Sequence, residues 1–267
     1  MTIGNIRKMK TRLEDGLAMY QLPLGDSLVD MNELVGKKIS MKFDGMINCI
    51  ATGEKITKSY GQGYSYKAFI TLPECDTCII KPELCHFAKG TCRDPKWGKE
   101  HCFIPHYIYL AVSSDLKVGI TRHTQVPTRW IDQGASYALP ILKVEDRKTS
   151  GEIEVEIARF YKDKTNWRKM LQGNVPEIDL FDKREEVFED LADVLDSFDV
   201  EDLEEEITTI KYPVLEYPTK VTSLGFDKKP IVEGTLVGIK GQYLILDTGV
   251  INMRKHQGYE IEFKAFS

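Results

Sequence analysis

Residues 107–134, YIYLAVSSDLKVGITRHTQVPTRWIDQG, decide the fold at the centre of this 267-residue chain. Two short apolar strands flank a polar turn at residues 113–115, which is the pattern of a β-hairpin. Pro127 fits the first turn of a following helix, and Gly134 fits the end of that helix. Extended to residue 173, the stretch predicts the order strand, strand, helix, strand, helix. This layout is typical of a small site that binds a phosphate beside a strand pair.

The segment SGEIEVEIARFYK at residues 150–162 is compatible with two secondary structures. Ile153, Val155 and Ile157 alternate as in a strand, whereas Ile153, Ile157 and Phe160 repeat at helical spacing. Glutamate favours a helix over a strand. We therefore predict a helix here.

A cysteine cluster lies directly upstream of the hairpin. Five of the six cysteines fall within 28 residues, with the spacing C-x2-C-x6-C-x6-C-x9-C: Cys75, Cys78, Cys85, Cys92 and Cys102. A C-x2-C pair supplies two zinc ligands from one tight turn. We predict zinc at Cys75, Cys78, Cys92 and Cys102, with Cys85 or a nearby histidine as a substitute. Four protein ligands leave no position for a substrate, so the zinc would be structural. The alternative is a set of buried free thiols.

The expected location follows from two features. No run of about 18 apolar residues occurs, so we expect no membrane span. The N-terminal residues MTIGNIRKMKTRLEDG lack the apolar centre of a secretory signal. We expect a cytoplasmic protein, in which clustered cysteines bind metal more often than they form disulfides.

The charge is divided unevenly along the chain. Residues 177–206 hold 15 acidic and 2 basic side chains, a net charge of −13, so the total of −5 leaves the remaining residues at +8. A basic body suits a polyanion partner, although both regions would also serve as ordinary solvated surface. Apolar residues at helical spacing predict an amphipathic acidic helix: Val187, Leu191, Val194, Leu195 and Phe198. This helix would dock on the basic body, bind a protein partner, or be an ordinary surface helix.

The fold class is predicted as α+β. The predicted units are an N-terminal helical segment at 1–34, a β-strand region at 35–74, the zinc module at 75–106, the hairpin–helix unit at 107–173, the acidic helix at 174–207 and a small β-barrel at 208–267. Residues 4–19 are predicted as a helix, and residues 64–72, YSYKAFITL, as a strand. Short strands with glycine turns predict the barrel, which the strands at 36–72 would complete or pack beside.

Two spaced pairs in the 35–74 region resemble the frame of a zinc ribbon. Cys49 and Thr52 are three apart, and so are Ser65 and Ala68. The region is either a ribbon that has lost its metal, which would then rely on apolar packing, or a coincidence of spacing.

Two family resemblances rest on quoted motifs. The chain resembles a bacterial family known only as a domain of unknown function, through CDTC, PELCH, GTCRDPKWG, IYLA, LKVGITR, PTRWIDQGA, DKTNWRKML, GIKGQYLIL and GVINMRKHQGY. Residues 107–173 also resemble the GIY-YIG endonuclease superfamily in a degenerate form. That resemblance implies a tyrosine on each of two adjacent strands, an arginine on the next helix and a metal-binding glutamate on a later helix.

The GIY-YIG resemblance implies a role for each matching residue. Tyr109 takes the first tyrosine position, and Lys117 stands where the second tyrosine would be. Arg129 matches the arginine, with Arg122 as a competitor. Glu154 matches the ligand of a Mg²⁺ ion that would polarise the scissile phosphate. Arg129 would neutralise charge in the transition state, and Tyr109 would handle the proton of the attacking water.

Lys117 removes one of the family's hydroxyl groups but keeps the ability to bind phosphate. Lys117, Arg122, His123 and Arg129 are the expected nucleic-acid contacts, and Asn166 is a candidate late polar partner. The segments GIKGQYL and NMRKHQGY would line a groove for a single strand. Three functions remain open: a non-catalytic DNA- or RNA-binding protein, a Mg²⁺-dependent endonuclease, and a protein-interaction scaffold that uses the acidic helix.

Overall fold

The computed structural model describes residues 1–161 and 166–266. The helices are α1 Tyr66–Thr71, α2 Pro95–His101, α3 Thr128–Gln133, α4 Arg147–Ile157, α5 Trp167–Leu171 and α6 Leu180–Leu195. The strands are β1 Thr2–Asn5, β2 Lys10–Glu14, β3 Leu17–Leu24, β4 Ser27–Asp30, β5 Lys38–Asn48, β6 Lys55–Ile56, β7 His106–Val112, β8 Leu116–Arg122, β9 Tyr137–Val144, β10 Glu201–Asp202, β11 Thr208–Thr209, β12 Ile231–Lys240, β13 Tyr243–Leu246, β14 Gly249–Asn252 and β15 Tyr259–Ala265. This mixture of helices and sheets agrees with the predicted α+β class.

The largest sheet joins both ends of the chain. Its order is β1-β15-β5-β12-β13-β14, and β6 pairs with β5. Within the described residues this sheet is open, so the predicted closed barrel at 208–267 is wrong. The reason is that β5 inserts between β15 and β12, with Met41 opposite both Phe263 and Val232. The early strand therefore joins the C-terminal strands within an open sheet, instead of completing a barrel or packing beside one.

Two local predictions are corrected by the structure. The predicted helix at 4–19 is wrong, because this segment forms β1, β2 and the start of β3. Asp15 and Gly16 have positive φ and close a tight β2–β3 hairpin, and alternate residues of β3 are buried. The predicted strand at 64–72 is instead helix α1, because Ser65 caps it by accepting a hydrogen bond from Ala68 N.

The central sheet confirms the predicted order of strand, strand, helix, strand, helix. Strands β7 and β8 form the predicted hairpin, with Tyr109 opposite Gly119, and β9 pairs with the other side of β7. The sheet order is β10-β9-β7-β8, so β8 is an edge strand. One face of β7 packs under α4 and α6, and the other face carries Tyr109 into the core shared with the large sheet. The hairpin is therefore buried on both faces but open along β8.

The predicted helix at 150–162 and the predicted acidic amphipathic helix are both present as α4 and α6. Ile153 and Ile157 of α4 are buried, and so are Val187 and Leu191 of α6, all in the apolar cluster beneath the central sheet. The predicted helix at 150–162 has its last residue, Lys162, outside the described residues. None of the described helices is long and apolar enough to cross a membrane.

Candidate functional site

A polar cavity of about 520 Å³ opens along the edge of β8. Helices α3 and α4 and the cysteine module border it, together with the N-terminal segment and the turn before β15. The charged residues that line it are Lys8, Glu74, Lys117, Arg122, Arg129, Asp132, Arg147, Glu154 and Arg254. Segments that are far apart in the sequence therefore supply one cavity.

The cavity is cationic. Six of its nine charged side chains are lysine or arginine, and three are carboxylates. The carboxylate of Asp132 forms an ion pair with Lys8 and also accepts a hydrogen bond from Gln242 Nε2 at 2.8 Å. Apart from this ion pair, five cations and two carboxylates line the cavity. The cavity therefore has an excess of positive charge, although the total charge of the chain is −5.

Arg129 is held from behind by the half-buried side chain of Gln133 and the buried side chain of Tyr109. With the Gln133 amide oriented to satisfy both neighbours, its nitrogen donates to the Tyr109 hydroxyl at 2.8 Å, and its oxygen accepts from Arg129 Nη2 and Nε at 3.0 and 3.1 Å. Tyr109 is fully buried and packs edge-to-face on Trp130. The structure thus places Tyr109 beneath the cavity rather than in its lining, where it positions the guanidinium through Gln133.

Gly119 explains how Tyr109 fits. It lies opposite Tyr109 in the hairpin, and a Cβ on this residue would lie 2.6 Å from the Tyr109 hydroxyl oxygen. Only glycine leaves room for the phenol at this position. The glycine of the LKVGITR motif is therefore part of the support for Arg129.

Arg147 connects the cavity to the cysteine module. Its Nη2 donates to Ile79 O at 2.6 Å, and its backbone N–H donates to Cys102 O at 2.8 Å. Its Nε is buried and has no hydrogen-bond partner among the described residues. Burial lowers the pKa of Arg147, and the neighbouring guanidinium groups of Arg122 and Arg129 lower it further. Such crowding of partly buried cations favours a bound anion.

Arg254 adds a second partly buried guanidinium. Burial lowers its pKa, and Arg129 lowers it further, whereas Asp132 opposes the shift. Arg254 lies in the NMRKHQGY segment that was predicted to contact nucleic acid. Sequence reasoning missed Lys8 and Arg147, because nothing local marks either residue as part of a shared cavity.

The remaining predicted site residues divide into two groups. Lys117, Arg122 and Glu154 line the cavity together with Arg129, as the predicted phosphate site requires. His123 is exposed and contacts Pro105 O through Nδ1 at 3.1 Å, outside the cavity lining. Asn166 also lies outside the lining, and its side chain caps α5.

A second, much smaller cavity lies inside the cysteine module. Its volume is about 20 Å³, and its lining includes four thiols, those of Cys78, Cys85, Cys92 and Cys102. All six cysteines of the chain are free. The predicted substitute Cys85 therefore lines this cavity, whereas Cys75 does not. Instead, the Cys75 thiol interacts with the side chain of Tyr64, and burial raises its pKa.

Asp76 and His86 also reach the small cavity. The ligand atoms of Asp76, Cys78 and His86 lie within 4.8 Å of one another, which makes them a candidate metal site. The Asp76 carboxylate already forms an ion pair with Arg93 Nε at 3.0 Å and accepts from Thr77 N at 2.6 Å. Burial raises the pKa of Cys78 to about 11, and Asp76 and the three other thiols of the cavity contribute.

The four positions of the predicted ribbon remnant come together. Ser65 N donates to Cys49 Sγ at 3.2 Å, and Ala68 N donates to Ser65 Oγ at 3.2 Å. Burial opposes ionisation of Cys49, but hydrogen bonds from Thr52 and from nearby backbone N–H groups outweigh it and lower the thiol pKa to about 7. Cys49, Ser65 and Ala68 are buried, as expected for a frame that relies on packing.

Comparison with known proteins gives one match. A family model described as "Protein of unknown function (DUF2797)" matches residues 36–261, a range that contains the small cavity and all of the large one except Lys8. Comparisons with curated proteins and with solved structures found no significant match.

Proposed function

The chain belongs to the DUF2797 family, and we propose that it is a nucleic-acid-binding protein that holds a backbone phosphate in the cavity along β8. The observation that carries this proposal is the convergence of six cationic side chains on one open cavity. A volume of about 520 Å³ is ample for a nucleotide-sized group. Cationic clefts of this kind concentrate and orient polyanions.

The arginines are suited to phosphate in particular. A guanidinium presents paired N–H donors that match two phosphate oxygens, and its position decides whether both bonds form. Arg129 is positioned by Gln133, and the Arg147 guanidinium donates to the backbone carbonyl of Ile79 at 2.6 Å. A bound phosphate would also offset the mutual repulsion of the arginines, so part of the binding free energy comes from relieving it.

We propose further that residues 107–173 are a GIY-YIG-like unit. The support is the order of its elements and the meeting of Lys117, Arg129 and Glu154 at one cavity. The second candidate function, a Mg²⁺-dependent endonuclease, is favoured by Glu154, which brings a carboxylate to the cationic wall. The burial of Tyr109 favours binding over catalysis, since its hydroxyl lies beneath the cavity lining. The scaffold function is less well supported, because α6 already buries Val187 and Leu191 against its own chain.

The experiment compares binding and cleavage in one set of samples. Fluorescence anisotropy of labelled single- and double-stranded DNA and RNA is measured at low and moderate salt, with and without Mg²⁺. We expect salt-dependent binding that Arg129→Ala weakens by about tenfold, with a smaller salt slope by about one. Arg12→Ala is the matched control, since Arg12 is an exposed cation paired with Glu14, outside the cavity. Absence of binding to all four nucleic acids, or an equal loss in the control, would refute the proposal.

The endonuclease alternative has its own readout. Cleavage that requires Mg²⁺ and disappears in Glu154→Gln, with binding retained, would establish it. Binding without cleavage would establish the non-catalytic function. We propose in addition that the metal of the cysteine module is zinc, and that the six free cysteines reflect a reducing, cytoplasmic location.

A further inference from the structure

The cysteine module is held together without an apolar core of its own. Residues 69–105 contribute no side chain to the three apolar clusters of the described chain. The segment contains the end of α1, short 3₁₀ turns and the two-turn helix α2. A segment that buries so little apolar surface needs another source of stability, and a bound metal is a common one.

We propose that Cys78, Cys85, Cys92 and Cys102 bind one zinc ion as four thiolates, and that this centre sets the position of Arg147 in the large cavity. The four thiols come from different turns: a turn at Thr77–Ile79, the end of a turn at Pro82–Leu84, the loop before α2 and the C-terminal end of α2. One ion would therefore tie together the four parts of the module that carry these ligands. The cavity that they share, about 20 Å³, has room for a single ion.

The four thiols fit zinc better than the alternative ligand set does. Asp76 is already engaged by Arg93 and Thr77, and Nδ1 of His86 lies 2.8 Å from Thr91 Oγ1. These bonds make Asp76 and His86 a support for the loop that carries Cys78. Zinc–sulfur bonds of about 2.3 Å place the sulfurs roughly 3.8 Å apart. Bound zinc would hold the four sulfurs at this spacing and so fix the separation of the turns that carry them.

The surrounding charges match a four-thiolate centre. Zinc with four thiolates carries a net charge of about −2. Arg147 is joined to Cys102 by a backbone hydrogen bond of 2.8 Å and brings a cationic side chain to this side of the module. Arg93 lines the small cavity itself and is a second cation near the proposed centre. The module therefore supplies compensating positive charge at the place where the centre would be negative.

The link to the large cavity runs through two carbonyl groups. Arg147 donates to the carbonyl oxygens of Cys102, a proposed ligand, and of Ile79, the neighbour of Cys78. Helix α4 also packs tightly on the module, since a Cβ on Gly151 would lie 2.5 Å from Pro82 Cβ. Movement of the ligand turns would therefore move Arg147. This part of the inference rests on the proposed phosphate site.

The first test is metal content and coordination. Wild-type protein should contain about one zinc per chain, and Co²⁺ exchanged into it should show the visible and sulfur charge-transfer bands of a tetrahedral four-thiolate site. Cys85→Ser should lose the metal, whereas the matched variant Cys75→Ser should keep it. Zinc well below one per chain, a Co²⁺ spectrum without four-thiolate character, or retention in Cys85→Ser with loss in Cys75→Ser would overturn the assignment. The Co²⁺ spectrum of the wild-type protein tests the four-thiolate assignment even if a variant fails to fold.

The second test separates the metal centre from the proposed function. Labelled DNA or RNA is titrated into zinc-loaded protein, chelator-treated protein and zinc-loaded Arg147→Ala. We expect chelation and Arg147→Ala each to weaken binding by about tenfold, and zinc restoration to recover the wild-type affinity. Unchanged affinity after confirmed zinc removal would refute the coupling and leave the zinc site standing. A zinc-loaded protein that binds no nucleic acid would instead refute the proposed function.

Discussion

Gly119→Ala tests whether the buried tyrosine supports the cationic cavity. The added methyl carbon would lie 2.6 Å from the Tyr109 hydroxyl oxygen and 2.7 Å from Cζ, both well inside van der Waals contact. Overpacking of this kind costs about 1–3 kcal/mol. Displacement of the hydroxyl would also break its hydrogen bond with Gln133, worth about 1 kcal/mol. We expect the free energy of unfolding to fall by about 2–4 kcal/mol in total.

The assay is urea unfolding, combined with anisotropy measurements of nucleic-acid binding under conditions in which the variant is folded. Binding should weaken, because Gln133 no longer holds Arg129 in place. Tyr109→Phe serves as the background for comparison, because it removes the hydroxyl oxygen that lies nearest to the added methyl group. The cost of Gly119→Ala should therefore be smaller when it is measured in the Tyr109→Phe protein. A change below about 0.5 kcal/mol in the single variant, or fully additive costs in the double variant, would refute this account of the hairpin.

Three further predictions concern buried groups. Burial lowers the pKa of His106 to about 4, so the unfolded chain binds more protons than the folded chain between pH 4 and about 6.5. The free energy of unfolding should therefore fall by roughly 2 kcal/mol between pH 8 and pH 5. His106→Gln should remove this part of the loss, and equal losses in urea unfolding of the wild type and the variant would contradict the prediction. Burial lowers the pKa of Lys240 to about 8, so the folded chain loses this proton at a lower pH than the unfolded chain does. The free energy of unfolding should therefore rise by roughly 2 kcal/mol from pH 7.5 to pH 10. Lys240→Met should lack that rise when urea unfolding is measured over the same pH range. Leu191→Ala should cost about 2–5 kcal/mol in thermal or urea unfolding, because Leu191 is buried under the central sheet, whereas Phe181→Ala on the exposed side of the same helix should cost much less.

The elements with strong local patterns were predictable. The hairpin at β7–β8 has apolar strands, a polar turn and a closing glycine, all within a short stretch. Helices α4 and α6 repeat apolar residues at helical spacing, and both bury that face. In these elements the local pattern and the final packing agree, so the prediction did not depend on distant residues.

The failed predictions have different causes. At residues 4–19, charged residues concealed a strand pattern that becomes clear only where β3 packs into the core. At residues 64–72, aromatic residues favoured a strand, but the Ser65 cap and the neighbouring Cys49 frame favour a helix. The prediction of a barrel failed because the pairing of the C-terminal strands depends on a strand far away in the sequence. Strand β5 lies between β12 and β15.

Amino-acid order alone was enough to indicate a cysteine cluster with metal-ligand spacing, a central hairpin–helix unit and a basic body with an acidic helix. Spacing and composition carry that information because metal ligands, helices and hairpins are local. Only the tertiary structure decided which thiols share a cavity, that Tyr109 lies behind Arg129, and that Lys8, Arg147 and Arg254 join the same cationic wall. These groups are brought together by contacts between segments far apart in the chain, and no local pattern specifies where such segments meet.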